Sequence, residues 1–257
     1  MISKEQQELM DKLNIIKINE NEYLLPLELV QEELIADCIK LCSIDNRITL
    51  LVEPKNVKKI KDVKTMLEQI NICFMCDNIS QAPMKLMEEY HVKYVIVGNS
   101  GNKSVKKMSI DKYRMIYNTI YDIVKDIIPL RLKEKERFKE VYKRLAERME
   151  YDSEALEDNE YGMRNNHKSR NLENAVLLNK TLCLGFAETL KQTLSLVNIK
   201  SIICYSIRGD KGFAHAYNIV RIDNRWYNTD LTLDYINIRQ RKRPKYCLKS
   251  DKDFLDC

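Results

Sequence analysis

The sequence predicts an α+β protein in three stretches: a small α/β region with a parallel sheet, a helical connector, and a carboxy-terminal α+β region. Three observations predict it. Short apolar runs alternate with helix-spaced stripes over residues 1–104. Charged amphipathic stripes fill 105–150. Residues 151–257 set an apolar helix before a hairpin pattern. Alternating strand and helix signals imply parallel pairing through right-handed crossovers.

In the first stretch, Ser3 to Ile16 is predicted as a helix, opened by a capping box of Ser3 and Gln6. Glu28 to Cys42 is a second helical run. Ile48-Thr49-Leu50-Leu51-Val52 is continuously apolar, as a strand buried on both faces requires. Val57 to Ile70 has helical spacing, Ile72 to Met75 reads as a strand, and Ala82 to Tyr90 as a helix. Tyr94 to Val97 is a strand that ends at Gly98. Gly98-Asn99-Ser100-Gly101 follows a strand, where ligand loops often lie, but it lacks a phosphate-binding glycine pattern and is taken as a plain loop.

The connector carries two stripes, Tyr113, Ile116, Ile120, Val124 and Ile127, then Phe138, Tyr142, Leu145 and Met149, with Pro129 between them. In the last stretch Asp158 to Arg170 is polar and reads as a loop bordering a cleft. Cys183, Ala187, Leu190, Leu194 and Val197 recur at steps of three and four, the buried stripe of a helix. Ala214 to Ile222 and Arg225 to Leu231 read as strands joined by a two-residue turn, Asp223-Asn224.

Composition narrows the function. An apolar share of 44% is enough for a buried core, and six Gly and five Pro are too few for long disordered tracts. The polar start, Ile2-Ser3-Lys4-Glu5, is not expected to be a signal peptide, and no apolar run reaches membrane-spanning length. A cytoplasmic location and no membrane partner are therefore expected. Eight scattered cysteines fit reduced thiols. Cys73-Phe74-Met75-Cys76 has C-x-x-C spacing, and Cys38 with Cys42 could complete a zinc set. Against this, 71–76 reads as an apolar strand and no second C-x-x-C exists, so neither a metal nor any other cofactor is expected. Net charge is +5, with the densest basic run at Arg239 to Lys245. Without interleaved aromatics or a known motif, nucleic-acid binding is not expected.

The chemistry points to Cys183, His215 and Asp230. A thiol, an imidazole and a carboxylate are the parts of an activated cysteine nucleophile. Thr181 is placed as the N-cap, which sets Cys183 in the first helical turn, where free N–H groups and the helix dipole favour a thiolate. The hairpin register puts Tyr217 opposite Asp230, so His215, Tyr217, Trp226 and Asp230 share a face. A one-residue slip would separate them. A cysteine alone is usually a small buried hydrophobe, and a strand histidine is usually bonded to backbone. The three together favour the site. His91 and His167 have no such setting.

Three segments carry a resemblance: Thr181-Leu182-Cys183-Leu184-Gly185-Phe186-Ala187, Ala214-His215-Ala216-Tyr217-Asn218, and Trp226-Tyr227-Asn228-Thr229-Asp230-Leu231-Thr232. Over about Tyr151 to Phe254 they resemble the transglutaminase-like superfamily. That resemblance implies a papain-like core with Cys183 at a helix start and His215 and Asp230 on neighbouring strands. It implies cysteine acyl transfer on a glutamine carboxamide or peptide carbonyl of a protein or peptide substrate, by transamidation, deamidation or proteolysis. The alternative is a catalytically inactive peptide-binding or scaffold module of the same build. Two departures stand out. Lys180-Thr181-Leu182 replaces the usual glycine before the nucleophile, and Tyr217 replaces a usual tryptophan. Tyr217 and Trp226 are expected to wall the site, Trp226 either over the His–Asp pair or as an ordinary core aromatic. The backbone N–H of Cys183 is the expected oxyanion donor.

Overall fold

Four strands of the first stretch pair in parallel, as alternating strands and helices favour. In the computed structural model, residues 8, 10, 13, 15–19, 21–98, 107–157, 170–208 and 213–255 are described. Two compact units emerge, Met1–Arg114 and Met115–Cys257. The architecture is mixed, with a partly parallel sheet in the first unit and an antiparallel one in the second, consistent with an α+β fold.

The first unit holds β1 (Ile16–Asn19), β2 (Glu22–Pro26), α1 (Ile35–Ile44), β3 (Ile48–Val52), a 3-10 run Pro54–Gln69, β4 (Asn71–Cys76), α2 (Met84–Glu89), β5 (Tyr94–Val97) and β6 (Met108–Ser109). The sheet order is β1-β2-β3-β4-β5-β6. The pairs from β2 to β5 are parallel, and the outer pairs, β1 with β2 and β5 with β6, are antiparallel. β3 is buried at every position.

One expectation changes here. Ile16 does not close a helix; it opens β1, paired with Leu24, because Ile16-Lys17-Ile18 alternates at the strand period. The rest of the expected 3–16 helix lies mostly outside the described residues, as do 99–101 and 158–169 of the expected loops. Cys73 and Cys76 stand an odd number of positions apart on one strand, so their side chains leave opposite faces of the sheet. Among the described residues no group of three or more His, Cys, Asp or Glu is arranged to hold a metal ion. No described helix is long and apolar enough to cross a membrane. A cavity of about 350 Å³ opens beyond the carboxyl ends of β3 and β4, lined by residues such as Glu53, Lys55, Cys76 and Asp77.

The division between units falls inside α3 (Ile110–Val124). The second unit continues with α4 (Glu134–Arg148), β7 (Glu150–Tyr151), α5 (Ser153–Glu157), α6 (Leu172–Leu177), β8 (Lys180–Thr181) and α7 (Cys183–Leu196). It ends with β9 (Ser201–Arg208), β10 (Phe213–Ile222), β11 (Arg225–Thr229), α8 (Leu231–Arg239) and α9 (Asp251–Leu255). The latter part of the stretch 105–150 shares a core with the elements that follow it. Ile123, Val124 and Ile127 lie in one buried cluster with Phe138, Tyr142 and Leu145 of α4. That cluster also takes Leu190 and Leu194 of α7, Val220 of β10 and Leu231 of α8. The stripe on α4 belongs to the core, which is why it is apolar in so charged a helix.

The antiparallel sheet runs β11-β10-β9. Asp223 and Asn224 have φ of 48° and 64°. Both in the left-handed region make the tight hairpin turn whose twist suits paired strands. Ile222 faces Arg225, Arg221 faces Trp226 and Asn218 faces Thr229. The second strand is shorter than the sequence suggested. It stops at Thr229, because Asp230 turns the chain into α8.

Candidate active site

The site is assembled by a helix start, a central strand and a helix cap. β7 and β8 form a short parallel ladder, Tyr151 facing Thr181, which delivers the chain into α7. Thr181 is thus a strand residue, not the cap. Leu182 holds the N-cap position and no side chain caps the helix there. Cys183 is consequently the first helical residue. Thr181 is fully buried against the helix, and a Cβ added at Gly185 would lie 1.8 Å from its Oγ1. Glycine there lets the ladder and the helix approach. Asn218 then ties the helix to the sheet, donating from Nδ2 to the carbonyl of Ala187 at 3.0 Å.

His215 lies on β10, between Ser206 of β9 and the end of β11. Asp230, fully buried, brings one carboxylate oxygen, Oδ2, to 2.6 Å from His215 Nε2. Its other oxygen accepts the Leu233 N–H at 3.2 Å and caps α8. Its own N–H donates to the Tyr246 carbonyl at 3.1 Å. With Nε2 held by the carboxylate, Nδ1 is the ring nitrogen left to face Cys183, whose thiol lies close enough to His215 to be lowered by it.

The electrostatics follow from these partners. Burial pushes the Cys183 thiol up, but the His215 hydrogen bond and the Ala216 and Leu184 backbone groups outweigh it, so the thiol lies below its ordinary value. For His215 burial favours the neutral ring, yet the bonds to Asp230 and Cys183 win and raise it to about 9. Elsewhere burial dominates: Cys42, Cys73 and Cys247 are pushed up to about 12, and Cys38 to about 11. Against these four, Cys183 is the thiol whose surroundings favour the anion.

The structure brings Cys183, His215 and Asp230 together. The expected wall is another matter. Tyr217 packs at a tilt against Phe254 of α9, ring centres 4.9 Å apart, on the His215 side of the hairpin. Trp226 does not cover the pair. It faces Arg221, six positions along β10 from His215, roughly 20 Å at about 3.3 Å per residue. Half of its surface is exposed at the turn. The pattern of alternate residues gave it the correct face but not the distance along the strand.

Sequence reasoning missed two features around the acid. One is α8, whose signal is an Asp that can cap followed by Leu231, Leu233 and Ile236. The other is Asp234, fully buried one turn beyond Asp230. It accepts hydrogen bonds from the Tyr142 hydroxyl at 2.9 Å and from the Lys245 and Tyr246 N–H groups at 2.6 and 3.0 Å. Burial pushes its carboxyl up, and these donors hold it back.

No protein-family model matches the chain, and no curated protein matches it. Among solved structures, one described as "Crystal structure of a TGase" is similar at 18% identity with a TM-score of 0.43. The match covers 51% of this chain and 35% of that one, so this chain spans about a third of its length.

Proposed function

We propose that the second unit, Met115–Cys257, is a cysteine acyl-transfer enzyme of the transglutaminase-like kind, acting on a carboxamide or peptide carbonyl of a protein or peptide. The observation that carries the reading is the His215–Asp230 pair at 2.6 Å beside a thiol lowered by that histidine. The quoted motifs around Cys183, His215 and Asp230 support it independently.

The Cys183 thiolate attacks the carbonyl carbon and forms a C–S bond. The carbonyl oxygen gains the negative charge, and the N–H of Cys183, the first of α7, is free to stabilise it, as first-turn N–H groups have no helical acceptor. The His215 imidazolium gives its Nδ1 proton to the leaving nitrogen. The C–N bond breaks, ammonia or an amine departs, and a thioester remains. His215, now neutral, takes a proton from the incoming amine or water as that attacks the thioester. The thiolate leaves and the imidazolium is restored. Asp230 fixes the ring and stabilises its charged form throughout. An amine gives transamidation; water gives deamidation or proteolysis.

The test is mass spectrometry of a peptide library after incubation with wild type and with Cys183→Ala. Amide loss, a cross-link or a cut, absent with Cys183→Ala, is expected and names the reaction. A library left unchanged by folded wild type contradicts the proposal and favours a peptide-binding module.

A further inference from the structure

The geometry points to Asp234 as a positioning residue for the acid of the triad. It anchors residues 245 and 246 so that the Tyr246 carbonyl takes the Asp230 N–H. This inference rests on the acyl-transfer reading above and extends it to how the site is held.

The linkage runs through hydrogen bonds alone. Asp234 Oδ1 accepts the Lys245 N–H at 2.6 Å, and the Tyr246 N–H lies within reach of both oxygens, at 3.1 and 3.0 Å. The same residue, Tyr246, returns its carbonyl to the Asp230 N–H at 3.1 Å. The Asp234 N–H bonds the Asp230 carbonyl at 3.2 Å, closing the first turn of α8 around the pair. From the other side, Tyr142 of α4 donates its hydroxyl to Oδ2. Asp230 is thus held at its N–H, its carbonyl and one carboxylate oxygen. The second oxygen is left aimed at His215.

A carboxylate fits this post better than an amide. Three donors converge on it, two backbone N–H groups and a phenol, and a carboxylate accepts all three without offering a proton of its own. An asparagine must turn an NH₂ toward one of them. The groups facing Asp234 are Tyr142 from α4, Cys247 beyond α8, and Asp230 itself. Burial first, and then Asp234, keeps Cys247 neutral at about 12. Burial and Asp234 also hold Tyr142 well above the usual phenol range. None of these neighbours offers a cation, so the directional hydrogen bonds hold the carboxylate. With Asp234 loosened, the Tyr246 carbonyl and the Asp230 backbone shift. Asp230 then grips His215 less well, and the imidazolium and the Cys183 thiolate both weaken.

The test needs no natural substrate. The rate of Cys183 alkylation by limiting iodoacetamide is followed against pH, by mapping the modified peptide, in the full chain. Wild type, Asp230→Asn, Asp234→Asn and Tyr142→Phe are compared, with melting curves for each. In wild type the rate rises through a pKa below that of an ordinary thiol. In Asp234→Asn that rise moves up by about one pH unit, about tenfold slower alkylation below it. Tyr142→Phe moves it in the same direction by less, and decides the matter if Asp234→Asn does not fold. Asp230→Asn moves it furthest. Unshifted profiles in Asp234→Asn and Tyr142→Phe, whatever their melting points, overturn the inference. If Asp230→Asn still shifts, the acyl-transfer reading survives that result. An ordinary thiol profile in wild type overturns both.

Discussion

Asp230 does two jobs with two oxygens: one caps α8 and the other holds His215. The substitution Asp230→Asn keeps the volume and a cap but loses the charge that stabilises the imidazolium. In a serine triad the matching change lowers turnover about 10⁴-fold. A thiol ionises more easily than a hydroxyl, so a loss of roughly 10² to 10³ in turnover is expected here. Steady-state rates on whichever peptide the library identifies check it, and wild-type turnover in Asp230→Asn would remove Asp230 from the mechanism. A second signature is thermal. His215 is raised from 6.5 to about 9, so its protonated form stabilises the folded state. That contribution is complete below pH 6.5 and is lost as pH rises through about 9. The melting-temperature gap between wild type and Asp230→Asn should be widest in acid and narrow toward pH 9. At this scale Cys183, His215 and Asp230 could be singled out because each sits in a local pattern. Asp234 was not, since its partners lie on α4 and on the segment beyond α8, and no nearby residue announces them.

Among elements, the hairpin was legible because its turn chemistry is local. Asp and Asn tolerate positive φ, two turn residues fix the register, and the register fixes the face. The shortened β11 was not read, since Trp226, Tyr227 and Thr229 favour a strand while Asp230 caps a helix. Strand propensity and cap chemistry competed, and the cap won. β9 also escaped notice, though Ile202-Ile203-Cys204-Tyr205 is an apolar run. The approach of β8 to α7 is a further element-level device. Gly185→Ala would drive a methyl into Thr181, whose Oγ1, Cβ and Cγ2 lie 1.8, 2.8 and 2.9 Å from the added atom. Thr181 is fully buried and cannot swing away. A cost of about 1–3 kcal/mol is expected, typical of overpacking. The drop in melting temperature should come with slower Cys183 alkylation, because the ladder and the helix start move apart together. An unchanged melt would show that Thr181 has room to turn.

For the whole molecule, the parallel sheet of the first unit followed from strand–helix alternation, and its antiparallel edges did not. β1 and β6 are short, and pairing at an edge depends on neighbours distant in sequence. The second unit should fold alone. Residues 115–257 are expected to melt cooperatively. A fragment starting at Glu134 removes Ile123, Val124 and Ile127 from the core. Three such side chains are worth on the order of 5 kcal/mol together, as much as many domains have to spare. It should melt far lower or without a cooperative step, and equal melts for the two fragments would place that helix end outside the core. The order of the parts along the chain has a consequence of its own. During synthesis Cys183 leaves the ribosome before His215, and His215 before Asp230 and Tyr246. The carboxylate reaches the imidazole only when α8 and the segment around Tyr246 have closed over it. On the acyl-transfer reading, a half-folded chain therefore carries a dormant thiol, and the closing of that segment arms it.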